Sequence, residues 1–175
     1  LAYVVQDTGG GSGLVARFQA GGTPPVSGAT MPILSSILPG ITKTGTGTLT
    51  VTASESFTGP TTITNGILRL GDGTATGNLA STNIINNASL VFNEGSAATI
   101  NSIISGTGTV TQNGPGTVTL TATNTYSGVT TISSGTLQIG NGTTVGTLGT
   151  GPVVDNAVLT FNHSDTVTIP PANSI

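Results

Sequence analysis

An internal repeat with a 69-residue period constrains the fold of this chain more than any other feature of its sequence. Gly47 to Ala53 (GTLTVTA) returns as Gly116 to Ala122 (GTVTLTA), and the match continues without insertion or deletion. Residues 42–105 and 111–174 share 26 identities in 64 aligned positions. A repeat that keeps its register over this length indicates stacked, equivalent units, so it favours a solenoid over a sandwich built around one core.

Within each copy, apolar residues alternate with threonines, as in strands that have one face in water. Thr48 to Thr52 and Thr117 to Thr121 show this pattern. Threonine suits the outer face because its branched Cβ fits a pleated backbone and its hydroxyl is hydrated. Short clusters of Gly, Asn and Pro separate the strands, and no helical periodicity of useful length appears. The sequence therefore predicts an all-β parallel solenoid with tandem 69-residue repeats.

The alternation also predicts which side chains point into the solenoid. At about 23 residues per coil, three coils would make one repeat, and each coil would add roughly 4.8 Å along the axis. The residues expected to face inward are Leu49, Val51, Ile63, Leu68, Leu70, Leu90, Phe92, Ile100, Val118, Leu120, Ile132, Leu137, Ile139, Leu159, Phe161 and Ile169.

Four segments resemble the autotransporter-associated β-strand repeat, also called the passenger-associated transport repeat. They are Gly45 to Thr52, Asn124 to Ile132, Ser134 to Gly140 and Leu159 to Val167. The likeness covers about residues 34–175, and the second copy fits better than the first. The resemblance implies a right-handed parallel β-helix in long secreted or surface-displayed bacterial proteins, where it serves mainly as a stalk. It implies no catalytic residues.

The repeat divides the chain into a terminal segment and a solenoid. Residues 1–33 fall outside the likeness and are interpreted as an N-terminal cap or exchange arm, whereas residues 34–175 hold two repeats, about 34–105 and 106–175. The apolar start of the chain and its end in mid-pattern favour strand pairing between copies, end to end, into a homopolymer. The residues expected at this contact are Leu1, Ala2, Tyr3, Val4, Val5, Ile169 and Ile175.

Composition argues against several kinds of partner. Three Lys and Arg residues and a net charge of -3 supply no patch for neutralising phosphates, so we expect no nucleic-acid binding. No apolar run approaches the roughly 18 to 20 residues that a membrane span needs, so the chain is not expected to be embedded in a membrane. Because the chain has no cysteine, thiolate metal sites are excluded. No cofactor or metal is predicted.

The titratable residues do not suggest an enzyme. Asp72, Glu94, Asp155 and Asp165 are scattered along the chain and are interpreted as solvated corner residues, with Asp72 in a turn. His163 is the single imidazole, and we expect it on the surface. Ser164 and Asp165 follow it directly, and three neighbours on an extended strand cannot converge into a triad.

These features together predict an extracellular structural protein at a bacterial surface. It would be a β-helical stalk or a self-assembling fibre subunit. The alternative is a glycan-binding adhesin, in which a flat threonine-rich wall with Tyr3, Phe57 or Tyr126 exposed would hold a sugar. A polysaccharide-cleaving β-helix enzyme is the least favoured hypothesis.

Overall fold

A computed structural model of the chain describes residues 3–5 and 40–169, and these residues form strands and no helix. The strands are β1 (Tyr3–Val5), β2 (Ile41–Lys43), β3 (Thr48–Val51), β4 (Ser54–Glu55), β5 (Thr61–Ile63), β6 (Ile67–Leu70), β7 (Asn78–Leu79), β8 (Asn83–Asn86), β9 (Ser89–Phe92), β10 (Ala98–Ile100), β11 (Ile103–Ser105), β12 (Thr109–Gln112), β13 (Thr117–Leu120), β14 (Thr130–Ile132), β15 (Thr136–Thr143), β16 (Val153–Asp155) and β17 (Val158–His163).

These strands stack into three walls, and every pairing between them is parallel. The first wall has the order β1-β2-β5-β8-β11, and the second has the order β3-β6-β9-β12-β14-β16. The third wall has the order β10-β13-β15-β17, with the short β4-β7 pair beside β10. Successive strands of one wall belong to successive coils, so about six coils are described. The prediction of an all-β parallel solenoid is confirmed.

The interior is a single column of apolar side chains from the three walls. All the residues predicted to face inward from Leu49 to Ile139 are buried, and Leu159 and Phe161 pack against them while partly buried. Ile169 is 41% exposed, so its predicted burial is wrong. It follows the last strand of the last described coil, and no further described coil lies over it.

The coils are shorter than predicted. Along the second wall, the sequence offset between stacked partners is 19 for Leu49 and Leu68 and rises to 23 for Thr130 and Val153. The offsets between these two ends of the wall are 22, 20 and 20. The prediction of three whole coils per repeat is therefore wrong, because the 69-residue repeat spans about three and one third coils of this average length.

The extra third of a coil moves each repeat to the next wall. Strand β2 lies in the first wall, but its equivalent in the second copy, β12, lies in the second wall. In the same way β3 lies in the second wall and its equivalent β13 in the third. The repeating unit of the sequence is therefore a strand, corner and strand combination that functions at any corner of the triangular cross-section.

One coil continues the first wall without a regular strand above β11. Asn124 supplements the remaining backbone bonds with its side chain, because Oδ1 accepts from Ile104 N at 2.8 Å and Nδ2 donates to Thr147 O at 2.7 Å. Its side chain thus joins the coil below to the coil above. A buried amide that bonds in both directions keeps the coils stacked where the backbone ladder is interrupted.

Neighbouring isoleucines on β8 provide a matched test of the walls. Ile84 is fully buried and Ile85 is 37% exposed, although the two residues are adjacent and identical in type. Ile84→Ala should destabilise the protein by about 2 to 5 kcal/mol because it leaves a cavity. Ile85→Ala should change stability by no more than about 0.5 kcal/mol. Urea unfolding measures both, and equal losses would show that the assignment of faces is wrong.

Candidate functional site

Several of the polar side chains that the fold buries lie at the corners between walls. Lys43 is 2% exposed, and its Nζ donates to the carbonyls of Gly45 and Asn65, the latter at 3.4 Å. Gln112 is its equivalent in the second copy, and the Nε2 of Gln112 donates to Gly114 O and Gly116 O, both at 3.0 Å. A lysine and a glutamine thus perform the same task, which is to satisfy corner carbonyls that face inward.

Glycines allow the next coil to approach these corners. Gly66 has a φ of 70°, and a Cβ on it would lie 2.3 Å from Gly45 O and 2.5 Å from Gly47 O. Gly135, its equivalent, has a φ of 65° and the same contacts with Gly114 O and Gly116 O. Any other residue would be strained by its backbone and would clash with the coil below.

Glu94 is buried at another corner, so its assignment as a solvated residue is wrong. It is 0% exposed, and its Oε2 accepts a hydrogen bond from Gly77 N at 2.8 Å. Its Oε1 has no hydrogen-bond partner among the described residues. Burial raises the pKa of Glu94 above the usual range of glutamate, and the bond from Gly77 opposes this only in part.

His163 occupies the position equivalent to Glu94, and its predicted surface location is also wrong. Its side chain is 7% exposed, and its Nδ1 lies 3.3 Å from Asp165 Oδ1. Nε2 is buried with no hydrogen-bond partner in the part of the chain that is described. The two wrong surface predictions have the same cause. Glu94 and His163 lie two residues after Phe92 and Phe161, and because alternate residues of a strand face the same side, each points inward like the phenylalanine before it.

Asp72, Asp155 and Asp165 lie on the surface, as predicted. Asp72 Oδ1 accepts from Thr74 N at 2.9 Å, from Thr74 Oγ1 at 2.7 Å and from Ala75 N at 2.7 Å. The bonds from Ala75 and Thr74 lower the pKa of Asp72 to about 2. Asp72 is thus a turn residue, and Asp155 Oδ1 likewise accepts from Ala157 N at 3.1 Å. Within residues 40–169, no three His, Asp or Glu side chains are grouped as metal ligands would be.

Among residues 40–169, the aromatic side chains do not form an exposed platform. Tyr126 is fully buried, and its hydroxyl lies 2.7 Å from Thr130 Oγ1, so its predicted exposure is wrong. Burial raises the pKa of the Tyr126 hydroxyl. Phe57, its equivalent in the first copy, is partly buried against the core. The ring of Tyr126 fills the interior in the coil whose first wall has no regular strand. The side chain of Tyr3 lies outside the described part.

The outer faces carry rows of small polar side chains. On the third wall the strand register aligns Thr99, Thr119, Gln138 and Thr160, one from each of four coils. All four are uncharged, and successive coils are spaced by roughly 4.8 Å. This wall presents hydroxyls and one amide as a flat array of hydrogen-bonding groups.

Exposed large apolar residues gather near the last described coil. Five of the seven are Val145, Val154, Val158, Val167 and Ile169. A cavity of about 370 Å³ opens there, lined by Asn124, Ile139 and His163 among others.

No helix in residues 3–5 or 40–169 is long and apolar enough to cross a membrane.

The residues predicted for assembly are only partly described. Tyr3–Val5 pairs with Ile41–Lys43 of the same chain, with Tyr3 opposite Ile41. Leu1, Ala2 and Ile175 lie outside the described residues, as does most of the terminal segment 1–33. The end-to-end contact and the division at residues 33 and 105 remain predictions.

Comparison with known proteins supports the resemblance. Residues 41–70 and 110–139 each match the passenger-associated-transport-repeat family, and the two matches occupy equivalent positions of the two copies. A 68-residue segment is 39% identical to the adhesin BmaC autotransporter of Brucella suis biovar 1 (strain 1330). That segment is 39% of this chain and 2% of the longer protein. No solved structure matches the chain.

The buried carboxyl of Glu94 gives a prediction about stability and pH. Because its pKa is raised in the folded protein, the stability it contributes is present below the ordinary glutamate pKa and is lost as pH rises through the folded value. Glu94→Gln removes this loss, so the variant should be more stable than the natural protein at neutral pH, by on the order of 1 kcal/mol. The gain should shrink in acid.

Urea unfolding across a series of pH values measures this difference. Glu55→Gln is the matched control, because Glu55 is partly exposed on β4, and that variant should follow the natural protein at each pH. A Glu94→Gln variant that is less stable than the natural protein at neutral pH would contradict this prediction and show that the carboxyl group of Glu94 stabilises its corner.

Proposed function

We propose that this chain, which carries two passenger-associated transport repeats, is part of the passenger of a bacterial surface protein and serves there as a β-helical stalk. The repeat and the adhesin-named relative both point to the cell surface or the extracellular space. The stalk role, as opposed to a direct binding role, goes beyond these comparisons. We base it on the way in which successive coils stack.

The observation that carries this proposal is the unbroken stacking of the second wall. Six strands, from β3 to β16, pair in parallel in consecutive coils, and the buried residues beneath them form one continuous cluster. Each coil therefore contacts its neighbours and needs nothing from distant parts of the chain. Added coils lengthen such a rod by a constant step and leave its cross-section unchanged.

A non-enzymatic role agrees with the chemistry of the described residues. The buried ionisable groups, Lys43, Glu94 and His163, each lie at a corner, and each is held by backbone or by one neighbouring side chain. These three residues lie in different coils and are too far apart to act on one substrate. Their positions allow them to stabilise the corners between walls, and the polar side chains of the outer walls interact with water.

Insertion of one more repeat tests the stalk proposal. A second copy of residues 42–110 placed between Val110 and Thr111 keeps the 69-residue register, so the rod should grow by about three and one third coils. At roughly 4.8 Å per coil, its maximum dimension should increase by about 16 Å with no change in cross-section. Small-angle scattering of the full chain with and without the insert measures both quantities.

An insert of the same composition in scrambled order is the control, and it should expand the particle without extending the rod. If the in-register insert thickened the particle or left an unfolded loop, the stalk proposal would be wrong.

A direct adhesive role is the second candidate. The relative's name contains the word adhesin, and the third wall offers an uncharged row of hydroxyls on which a neutral glycan could lie. The buried Tyr126 weakens this candidate, because stacking of an aromatic ring on a sugar is not available there. Screening the full chain on a glycan array separates the two roles, since a stalk gives no saturable binding.

We further propose that copies associate end to end. In the structure β1 covers the edge of β2, so it acts as a cap in its own chain. In a polymer the same strand would leave β2 and pair with the last coil of a neighbour, where β16 is the last described strand of the second wall.

Deletion of residues 1–5 distinguishes the exchange arm from the cap. If the strand is exchanged, the large species that light scattering detects for the full chain should disappear. If it is only a cap, removing it uncovers the edge of β2, and self-association should increase. A full chain that stays monomeric at high concentration would exclude end-to-end assembly.

A further inference from the structure

The corner between β5 and β6 brings together the groups needed for a spontaneous chemical modification. Asn65 and Gly66 form this corner, and Asn65 is exposed to solvent. Gly66 N donates to Asn65 Oδ1 at 2.8 Å. Since Oδ1 is bonded to Cγ, this contact holds the side-chain carbonyl carbon beside the backbone nitrogen of the next residue. Glycine places no Cβ in the way.

A buried cation lies on the same peptide group. Lys43 Nζ donates to the carbonyl oxygen of Asn65 at 3.4 Å, and Lys43 is 2% exposed. No carboxylate of the described residues pairs with it. The positive charge of Lys43, placed beside the carbonyl oxygen of Asn65, withdraws electrons from the 65–66 peptide and makes the Gly66 N–H more acidic. Because water has little access to Lys43, this electrostatic effect is stronger than it would be in solvent.

We propose that Asn65 is a site of intramolecular deamidation, activated by Lys43. The Gly66 nitrogen loses its proton to water and attacks Asn65 Cγ, forming an N–Cγ bond. The Cγ–Nδ2 bond breaks, and the amide leaves as ammonia, which gives a five-membered succinimide. Water then opens the ring. Cleavage of the N–Cγ bond gives aspartate, and cleavage at the other carbonyl gives isoaspartate. The net reaction consumes one water and releases one ammonia.

The backbone on both sides of the reacting pair is held in place. Thr64 N donates to Lys43 O at 2.9 Å, and Ile67 N donates to Gly47 O at 3.1 Å. The reacting peptide is therefore fixed between two coil-to-coil hydrogen bonds, which reduces the conformational search before ring closure. The aspartate product adds a carboxylate to the corner that holds the Lys43 ammonium.

The chain contains two other Asn-Gly pairs, and both lack this arrangement. Gly114 N donates to Phe92 O at 3.3 Å, so the nucleophile of the Asn113 pair is engaged elsewhere. Asn141 Oδ1 accepts from Thr143 Oγ1 at 2.9 Å inside the long strand β15. No lysine contact to either peptide carbonyl is found in the described part of the chain. These pairs are internal controls of identical dipeptide chemistry.

The test compares the three pairs in the full chain by peptide mass spectrometry during incubation at neutral and mildly alkaline pH. In the folded protein, Asn65 should be modified several-fold faster than Asn113 and Asn141. In denaturant the three rates should converge, because the dipeptides are the same. Hydroxylamine should trap the succinimide at residue 65. Equal rates in the folded chain, or a slower rate at Asn65, would overturn the proposal.

Lys43→Gln tests the part played by the cation. The second copy already has Gln112 at this position and closes its corner through Gly114 O and Gly116 O, so the variant has a native precedent. It should slow the modification of Asn65 several-fold and leave Asn113 and Asn141 unchanged. An unchanged rate at Asn65 in a folded variant would exclude activation by Lys43. If the variant does not fold, the comparison of the three pairs in the natural chain still decides the site.

Discussion

The backbone hydrogen bonds that join each coil to the next determine what every other part of this structure can do. They are parallel in all three walls, so each residue stands directly over its partner one coil below. The interior is one side chain deep from any wall. Polar groups that turn inward at a corner are therefore out of reach of solvent, and they must be satisfied by side chains from the same corner or the adjacent coil. Lys43 and Gln112 do this at corners, and Asn124 does it along the first wall.

The sequence was sufficient for the walls but not for the length of a coil. Alternation in strands such as β3 and β13 predicts which side chains enter the core, because period two is a property of the backbone itself. Coil length depends on how many residues each corner uses, and glycine-rich corners permit several lengths. The 69-residue repeat suggested a whole number of coils, whereas the pairing of Leu49 with Leu68 gives a shorter turn. The repeat consequently advances by one wall.

Whether the burial of a candidate site residue could be predicted likewise depends on whether it continues the alternation of a regular strand. Burial of Glu94 and His163 could have been predicted, since each continues the inward alternation begun by Phe92 and Phe161. Their polar side chains favoured a surface location in the sequence analysis, but the alternation of the strand places them inside. Tyr126 is different, because it lies in a segment without a regular strand, so no period applies. Its burial follows from the space that the missing strand leaves in the interior and from the bond to Thr130.

Equivalent positions in the two copies are occupied by polar residues of different charge. Lysine is replaced by glutamine at Lys43 and Gln112, glutamate by histidine at Glu94 and His163, and aspartate by asparagine at Asp72 and Asn141. A corner requires a donor or an acceptor of suitable reach, and it does not require a charge. The geometry of the rod can thus stay constant while the pH response and the chemical reactivity of each copy vary. In a solenoid built from such repeats, these local differences give individual copies properties of their own.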